Sequence, residues 1–566
     1  MKYLIKYNKI FLVLALVFAT GSCTKDFEEM NTSPNSPTNV PAINIFTHVI
    51  TASIQGELGG WIQHTYLGCW CQQWAKVQYI DEDKYQPRDM TGTMENPYTN
   101  QLLDLQLIID KTTEDIDAEV ELGANRGLLG AAKIMRVWAF SYLTDLFGDI
   151  PYSEALQGLY QDGTITPVYD TQESIYTDFF NELEEANTLL GQAAGYNFGS
   201  GDLIFGGDPA KWRKFGNSLK LRLLNRCAGT PWSFTYNMVA PQLPVTTSDG
   251  AAAYAGADAA IGAILTDPAG HPIMTSSADN AFLDYPGLPY RNPIYNTLYT
   301  RTDQGIAETM VEFLKARNDP RLPIYAQTLP FDSLDLTGDG VKEYVPDYAD
   351  SSLYFDQLYR GTQNGLAHAA SDFNVISLLG TAIAYDESAP IFILTYDEVE
   401  FIKAEYYMRE VNDAAAEIAY KLGIEASMGR WGATYDVATY HDGQVLVDWA
   451  LATDPEKYQL ICEQRWAAMF GQGVQAYSLI RRTGFPARVF EFELEAAFYP
   501  DLGFPVRLRY SLNEETYNGE NLQAAIVGFN LTNETMFNTP GTTSNQNWWH
   551  TRLNPVPKEV DPPLVQ

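Results

Sequence analysis

Residues 127–147 read GLLGAAKIMRVWAFSYLTDLF, and the chain continues Gly148-Asp149-Ile150-Pro151-Tyr152. Only a narrow stripe through Lys133, Arg136, Thr144 and Asp145 is polar. A helix apolar on nearly every side must lie among other helices. Gly148 can close it in a left-handed cap, and Pro151 prevents its restart. The flanking sequence supplies the partners. Thr171 to Leu190 is amphipathic, with Ile175, Phe179, Phe180 and Leu183 on the inward face. Asp208-Pro209 reads as an N-cap and first-turn proline, followed by a stripe of Trp212, Phe215, Leu219, Leu223 and Leu224, with Gly229 as the stop. Thr395 and Glu398 have capping-box spacing, and Glu405 and Arg409 are an i,i+4 pair on the same helix. Asp454-Pro455 repeats the earlier opening, with Tyr458, Ile461, Cys462, Trp466 and Met469 inward.

The helices therefore fall in pairs: 97–120 with 124–147, 172–191 with 208–228, 395–411 with 412–425, and a last set near 455–482. Small and aromatic residues alternate at the contacts, as in tetratricopeptide-type helical hairpins. The reading is a mainly α fold of about four such hairpins. Residues 230–300, 325–392 and 483–566 are rich in Gly, Pro, Asp, Thr and Tyr and read as long irregular loops. Loops of that length on a rigid frame are reading surfaces, and here they are expected to form the ligand face.

The chain has 71 acidic and 37 basic side chains, a net charge of −34. Nucleic-acid binding requires basic patches that displace counterions, and none is present. Docking on anionic lipid is disfavoured for the same reason. A solvated protein with a neutral ligand fits the charge. Its 35 tyrosines are an unusual surplus, and Tyr offers both an apolar face and a hydroxyl. Of the five cysteines, Cys69 and Cys71 cannot easily close on each other. Cys227 and Cys462 fall on helical patterns, as small apolar residues of the core. Stability is therefore expected from packing and not from disulfides.

The N-terminus has the layout of an export signal. Lys2, Lys6 and Lys9 precede an apolar run, Ile10 to Ala19, and Gly21-Ser22 lead into Cys23. This predicts cleavage before Cys23 and acylation of its thiol and new amino group. Thr20 occupies a position where such signals usually carry Leu, and the alternative is an ordinary cleaved signal with an incidental cysteine. The domain plan is a signal peptide over 1–22, an anchor and flexible linker over 23–40, and one helical domain over 41–566. The linker contains NTSPNSPTNV, which has little apolar surface to bury.

Several strings now converge: Ala139-Phe140-Ser141-Tyr142-Leu143 running into Phe147-Gly148-Asp149-Ile150-Pro151-Tyr152, then Asn318-Asp319-Pro320-Arg321-Leu322, then Glu463-Gln464-Arg465-Trp466 before Tyr477-Ser478-Leu479-Ile480-Arg481-Arg482. With the Cys23 start and the linker, their order resembles the SusD/RagB superfamily, and within it the SusD-like nutrient-binding outer-membrane lipoproteins. The resemblance implies four tetratricopeptide-like hairpins and lipid anchoring at the cell surface of the outer membrane. It implies a TonB-dependent outer-membrane barrel of the SusC type as partner. It also implies an oligosaccharide or other oligomeric nutrient, captured and passed inward without chemistry. The strings themselves read as scaffold: caps, turns and buried helix faces.

The densest aromatic run is GGWIQHTYLGCWCQQWAKVQYIDEDKY, residues 59–85. Sugar rings present C–H faces that stack on aromatic planes, and their hydroxyls need amides and carboxylates. Trp74, Tyr79 and Tyr85, with Gln73 beside them, are candidate ligand-binding residues, while Trp70, i,i+4 from Trp74 on an expected helix, belongs to the core. A second cluster, Tyr285, Tyr290, Tyr295 and Tyr299 with Arg291 and Asn292, adds Tyr290 and Tyr295 to the candidates. Trp548 and Trp549 pack the C-terminus.

Asp335, Thr337, Asp339 and Gly340 match part of a calcium loop, but position 346 is Pro where Glu is required, so a Gly-Asp-Gly turn is expected and no metal or cofactor is assigned. Gly471-Gln472-Gly473 ends a helix and is no nucleotide fingerprint. No H-E-x-x-H, G-x-S-x-G or P-loop is present. The reading is therefore a binding protein. A lipid-anchored glycoside hydrolase and a structural subunit of the transporter without a ligand of its own are the alternatives.

Overall fold

The computed structural model describes residues 40–160, 162–228, 256–329, 358–365, 376–490 and 504–527. Cys23 with its signal and linker, the Asp332–Asp339 run, Gly229, and Trp548 with Trp549 lie outside them.

Helix α1 (Ala42–Ser53) leads without a cap into the π-turn Ile54–Leu58. Beyond a second π-turn, Ile62–Tyr66, and the short helix Leu67–Trp70 comes strand β1 (Trp74–Lys76). The hairpin helices follow in four pairs: α2 (Leu103–Asp117) with α3 (Leu122–Phe147), α4 (Gln172–Gln192) with α5 (Pro209–Cys227), α6 (Tyr396–Arg409) with α7 (Asp413–Arg430), and α8 (Asp454–Ala468) with α9 (Gly473–Thr483). The four pairs are those the hydrophobic periodicity predicts. Among the described residues, sheet is confined to two-stranded pairings, of which β1 with Gln304–Ile306 bears on the site.

Helix α3 is buried from Gly127 to Phe147 apart from Lys133 and Arg136. Its polar stripe is spent on neighbours. Lys133 donates to Glu185 at 3.0 Å, Arg136 Nε donates to Glu182 at 2.8 Å, and Asp145 pairs with Arg226 of α5. Gly148 has φ +87°, and the helix stops there as expected. Asp208 caps α5 by accepting the Ala210 N–H at 2.8 Å, ahead of Pro209.

Two expected caps differ. The capping box of α8 is made by Thr453 and Glu456, which places Asp454 inside the first turn. At Thr395 no box forms, because Glu398 is taken by two arginines: Arg222 Nε at 2.9 Å and Arg465 Nη2 at 3.1 Å. Charged groups removed from water must be paired, and these pairs outweigh a cap.

This pairing extends into a buried ionic chain across three hairpins. Arg222 of α5 holds Glu398 of α6, Arg465 of α8 bridges Glu398 and Glu405, and Arg482 of α9 reaches Glu405 at 2.5 Å. Arg409 lies 3.8 Å from Glu405, the expected i,i+4 pair, but it is a minor partner there. Nearby, Arg321 is fully buried against Asp319 at 2.6 Å and also donates to Gln464 at 2.7 Å, while Arg317 holds Glu463 at 2.6 Å. The family-like strings therefore serve as scaffold.

Each large apolar side chain buried between the hairpins contributes about 1.5–3 kcal/mol. Cys69, Cys71 and Cys462 are buried thiols and Cys227 is half-buried; all four are free. Within the stretches read as irregular loops, the described parts contain short helices at Ala257–Thr266, Pro293–Leu298 and Leu512–Tyr517. Among the described residues no helix is long and apolar enough to cross a membrane.

Candidate functional site: an exposed aromatic face

Two segments distant in sequence meet at one surface. The first runs through the π-turns and β1. Trp61 sits between the two π-turns, 41% exposed, with the Tyr66 ring 4.9 Å away and the Arg88 guanidinium 5.7 Å from its centroid. Beyond β1 the chain forms a strap with Tyr79 at its tip, 72% exposed and at φ +55°. The left-handed region is uncommon for a residue with a bulky side chain, and such backbones gather at functional loops.

The second segment is 284–301. A turn bridged between Gly287 and Tyr290 presents Leu288 and Tyr290, the latter 70% exposed. Asn292 then caps the helix Pro293–Leu298, accepting from Ile294 N at 2.7 Å and Tyr295 N at 3.2 Å while its amide donates to the Ala389 carbonyl at 2.7 Å. On that helix the rings of Tyr295 and Tyr299 stack at 5.2 Å and 16°. The Arg291 guanidinium lies 5.4 Å over Tyr295 and is anchored by Glu387 at 2.7 Å.

Two contacts join the segments. A Cβ on Gly59 would stand 2.2 Å from Pro293 Cγ, so only glycine lets the turn carrying Trp61 seat on this helix. The N–H of Val77 donates to the Asp303 carbonyl at 2.9 Å, extending the pairing of β1 with Gln304–Ile306. From outside both segments, the Tyr385 hydroxyl donates to the Arg301 carbonyl at 3.4 Å. The two joined segments expose Trp61 and Tyr79 on the first and Tyr290 and Tyr299 on the second, where Asn296 and Arg301 are also exposed and Glu387 pairs with Arg291. Aromatic planes with polar groups between them suit a flat, hydroxylated, uncharged ligand.

The structure divides the predicted site residues. Tyr79 and Tyr290 are exposed here, and Tyr295 is half-buried in its stack. Trp74, Gln73 and Tyr85 are corrections. The expected helix ends at Trp70, Gln72 takes φ +51°, and Trp74 starts a strand, so Trp70 and Trp74 are not on one helical face. Trp74 is 0% exposed, with His64 stacked on it at 5.0 Å. Gln73 is fully buried and donates to the Trp466 carbonyl at 2.8 Å. Tyr85 is edge-on to Trp70 and to Phe504, each at 5.7 Å. These three pin the segment to the core and present no surface. Trp70 is buried as expected.

Trp61 and Tyr299 belonged to the aromatic clusters of the sequence without being singled out. The signal for Trp61 was the Gly59-Gly60 pair before it, which marks a close backbone approach. For Tyr299 it was the i,i+4 spacing from Tyr295.

Residues 34–511 match the family described as "starch-binding associating with outer membrane", of SusD-like type. No curated protein matches. Among solved structures, a chitin-binding protein is 24% identical with a TM-score of 0.68, over 90% of this chain and 100% of its own. A chitin-binding SusD homologue from Flavobacterium johnsoniae is 21% identical with a TM-score of 0.65, over 90% of this chain and 98% of its own. A SusD homologue from Bacteroides fragilis is 22% identical with a TM-score of 0.68, over 88% of this chain and 99% of its own. At these identities the structural matches establish the fold, and the family match covers most of the chain. The chain belongs to the SusD-like family within the SusD/RagB superfamily, whose members are described as associating with the outer membrane.

Proposed function

We propose that this protein binds an oligomeric nutrient, in the first instance a glycan, at the face of Trp61, Tyr79, Tyr290, Tyr295 and Tyr299. It performs no chemistry. It passes the ligand to a SusC-like TonB-dependent barrel. It is held at the cell surface by lipid on Cys23, with residues 23–40 as a leash. Several acyl chains together anchor firmly, each buried methylene adding about 0.8 kcal/mol.

The observation that carries the ligand reading is the aromatic face itself. Four large rings stand exposed on segments pinned to the core, where an unliganded surface would favour polar side chains. The family description and the chitin-binding relatives support a glycan as the first ligand to try. The net charge of −34 supports a neutral one.

The partner and the anchor are tested together by recovering the tagged protein from gently solubilised outer membranes. A stoichiometric large β-barrel is expected to accompany it. Recovery of the protein alone would refute a stable barrel complex, and a mature protein whose Cys23 carries no acyl chain by mass spectrometry would refute the lipid anchor.

A further inference from the structure

The stacked rings of Tyr295 and Tyr299 are part of a longer column. Side chains four apart share one face of a helix, and Arg291, Tyr295 and Tyr299 stand at i, i+4 and i+8. The Arg291 guanidinium lies 5.4 Å from the Tyr295 ring centre, and the two ring centres are 5.2 Å apart with only 16° between their planes. The spacing puts Tyr295 in the middle. Exposure runs the same way: Arg291 and Tyr295 are half-buried, and Tyr299 is 51% exposed.

The helix under this column, Pro293–Leu298, has only 6 residues. A helix that short is unstable alone in water, so its order must come from contacts. Glu387, distant in sequence, supplies several. Its carbonyl accepts the Asn292 N–H at 2.9 Å, at the start of the helix. Its Oε2 stands 2.7 Å from Arg291 Nε. Its Oε1 packs at the base of the Tyr290 turn, where a Cβ on Gly287 would stand 3.1 Å from it. Gly287 takes φ +83° there and is bridged to Tyr290. One residue therefore meets both the turn that displays Tyr290 and the column that ends in Tyr299.

The Arg291 and Glu387 side chains are 24% and 39% exposed, and an ion pair so close to water adds little to stability. What it does fix is orientation. A guanidinium is a plane that can lie on an aromatic ring while its edge meets a carboxylate.

We propose that Arg291 and Glu387 are positioning residues for the ligand face: Glu387 holds the planar guanidinium of Arg291 against Tyr295, and the column so closed presents Tyr299 as a fixed stacking platform. A ring held in place before binding spares the ligand the cost of ordering it. The consequence for binding rests on the ligand-face reading above, whereas the clamp itself does not.

The test begins without ligand, by fluorine NMR of the purified protein carrying meta-fluorotyrosine at position 299 alone. Stacking on Tyr295 should set the wild-type signal apart from that of the urea-unfolded chain. Arg291→Ala should move the signal toward the unfolded position, with the urea midpoint unchanged. So should Glu387→Ala, which keeps the carbonyl that Asn292 uses. Arg291→Lys retains the charge but has no plane to lay on the ring, and it should behave as Arg291→Ala does. A wild-type signal already at the unfolded position overturns the proposal, as does an unmoved signal in Arg291→Ala or in Arg291→Lys. Chitohexaose affinity is measured alongside. Arg291→Ala should weaken it about threefold to tenfold in the wild-type background and have no further effect in Tyr299→Ala. A loss that persists in Tyr299→Ala would mean that Arg291 acts on the ligand without Tyr299, and would overturn the positioning role. If the wild type does not bind chitohexaose, the glycan reading is weakened while the fluorine signal still decides the clamp.

Discussion

Glu405 is the centre of the buried ionic chain, and replacing it by Gln is the sharpest test of what holds the hairpins together. Its side chain is fully buried and its two oxygens serve Arg465 at 2.7 Å and Arg482 at 2.5 Å. Burial raises the carboxyl, but Arg482, Arg465 and Arg409 together overcome that and lower it from 4.5 to about 2. A depressed acid contributes stability that is present above its unfolded value and lost as pH falls through the folded one. That contribution is on the order of a few kcal/mol at neutral pH. Independently, removing one partner of a buried pair costs about 3–5 kcal/mol, because the other charge is left uncompensated. Glu405→Gln should therefore lose about 3–5 kcal/mol by urea unfolding at about pH 7. The gap to wild type should close as the pH falls from about 4.5 toward about 2. Replacing Glu405 and Arg482 together by Met should cost much less than the two single losses added, since no unpaired charge remains on that arm. A Glu405→Gln protein within about 1 kcal/mol of wild type at about pH 7 would refute the reasoning.

Gly59→Val should break the seam between the two halves of the aromatic face. Its side chain would overlap Pro293, and overpacking of this kind costs about 1–3 kcal/mol; thermal unfolding with tyrosine and tryptophan fluorescence measures it, and an unchanged spectrum and midpoint would show that the seam yields freely. Glu57 is buried on the first π-turn with neither carboxylate oxygen in a well-formed hydrogen bond among the described residues, although Gln101 approaches it, and burial raises it well above the usual carboxylate range. Glu57→Gln should leave stability unchanged or higher at about pH 8, and a loss beyond about 2 kcal/mol would mean the acid makes a bond that Gln cannot. Asp319→Ala should cost about 3–5 kcal/mol by leaving Arg321 unpaired in the core; urea midpoints equal to wild type would count against a structural role for the Asn318–Leu322 string.

What was legible in the sequence followed from periodicity. The stripes of α3, α4 and α5 and the short connections after Ala118 and Arg409 specify hairpins, because a helix with a wide apolar face must be covered by a neighbour. The scaffold strings were legible as scaffold, although their chemistry was not. Glu398 at capping-box spacing looks the same in sequence whether it caps Thr395 or answers Arg222 and Arg465, and only the packing of α5 and α8 decides it. The aromatic run was misread for a related reason. Spacing four residues apart suggested a helix through Trp74, but π-turns and the left-handed Gln72 turned the chain and buried Trp74, Gln73 and Tyr85. Exposure depends on contacts such as Gly59 against Pro293 and Val77 against Asp303, which join residues more than two hundred positions apart. No local pattern contains them.

If the exposed aromatic rings bind a glycan, removing them must weaken that binding. The most direct measurement is the affinity of the purified protein for soluble chitin and starch oligosaccharides, compared with a Trp61→Ala/Tyr290→Ala double variant whose unfolding midpoint matches wild type. The account predicts saturable binding by the wild type and a loss of at least about tenfold in the variant, since stacked rings of this kind contribute about 1–2 kcal/mol each. Undiminished affinity in the folded variant would contradict it.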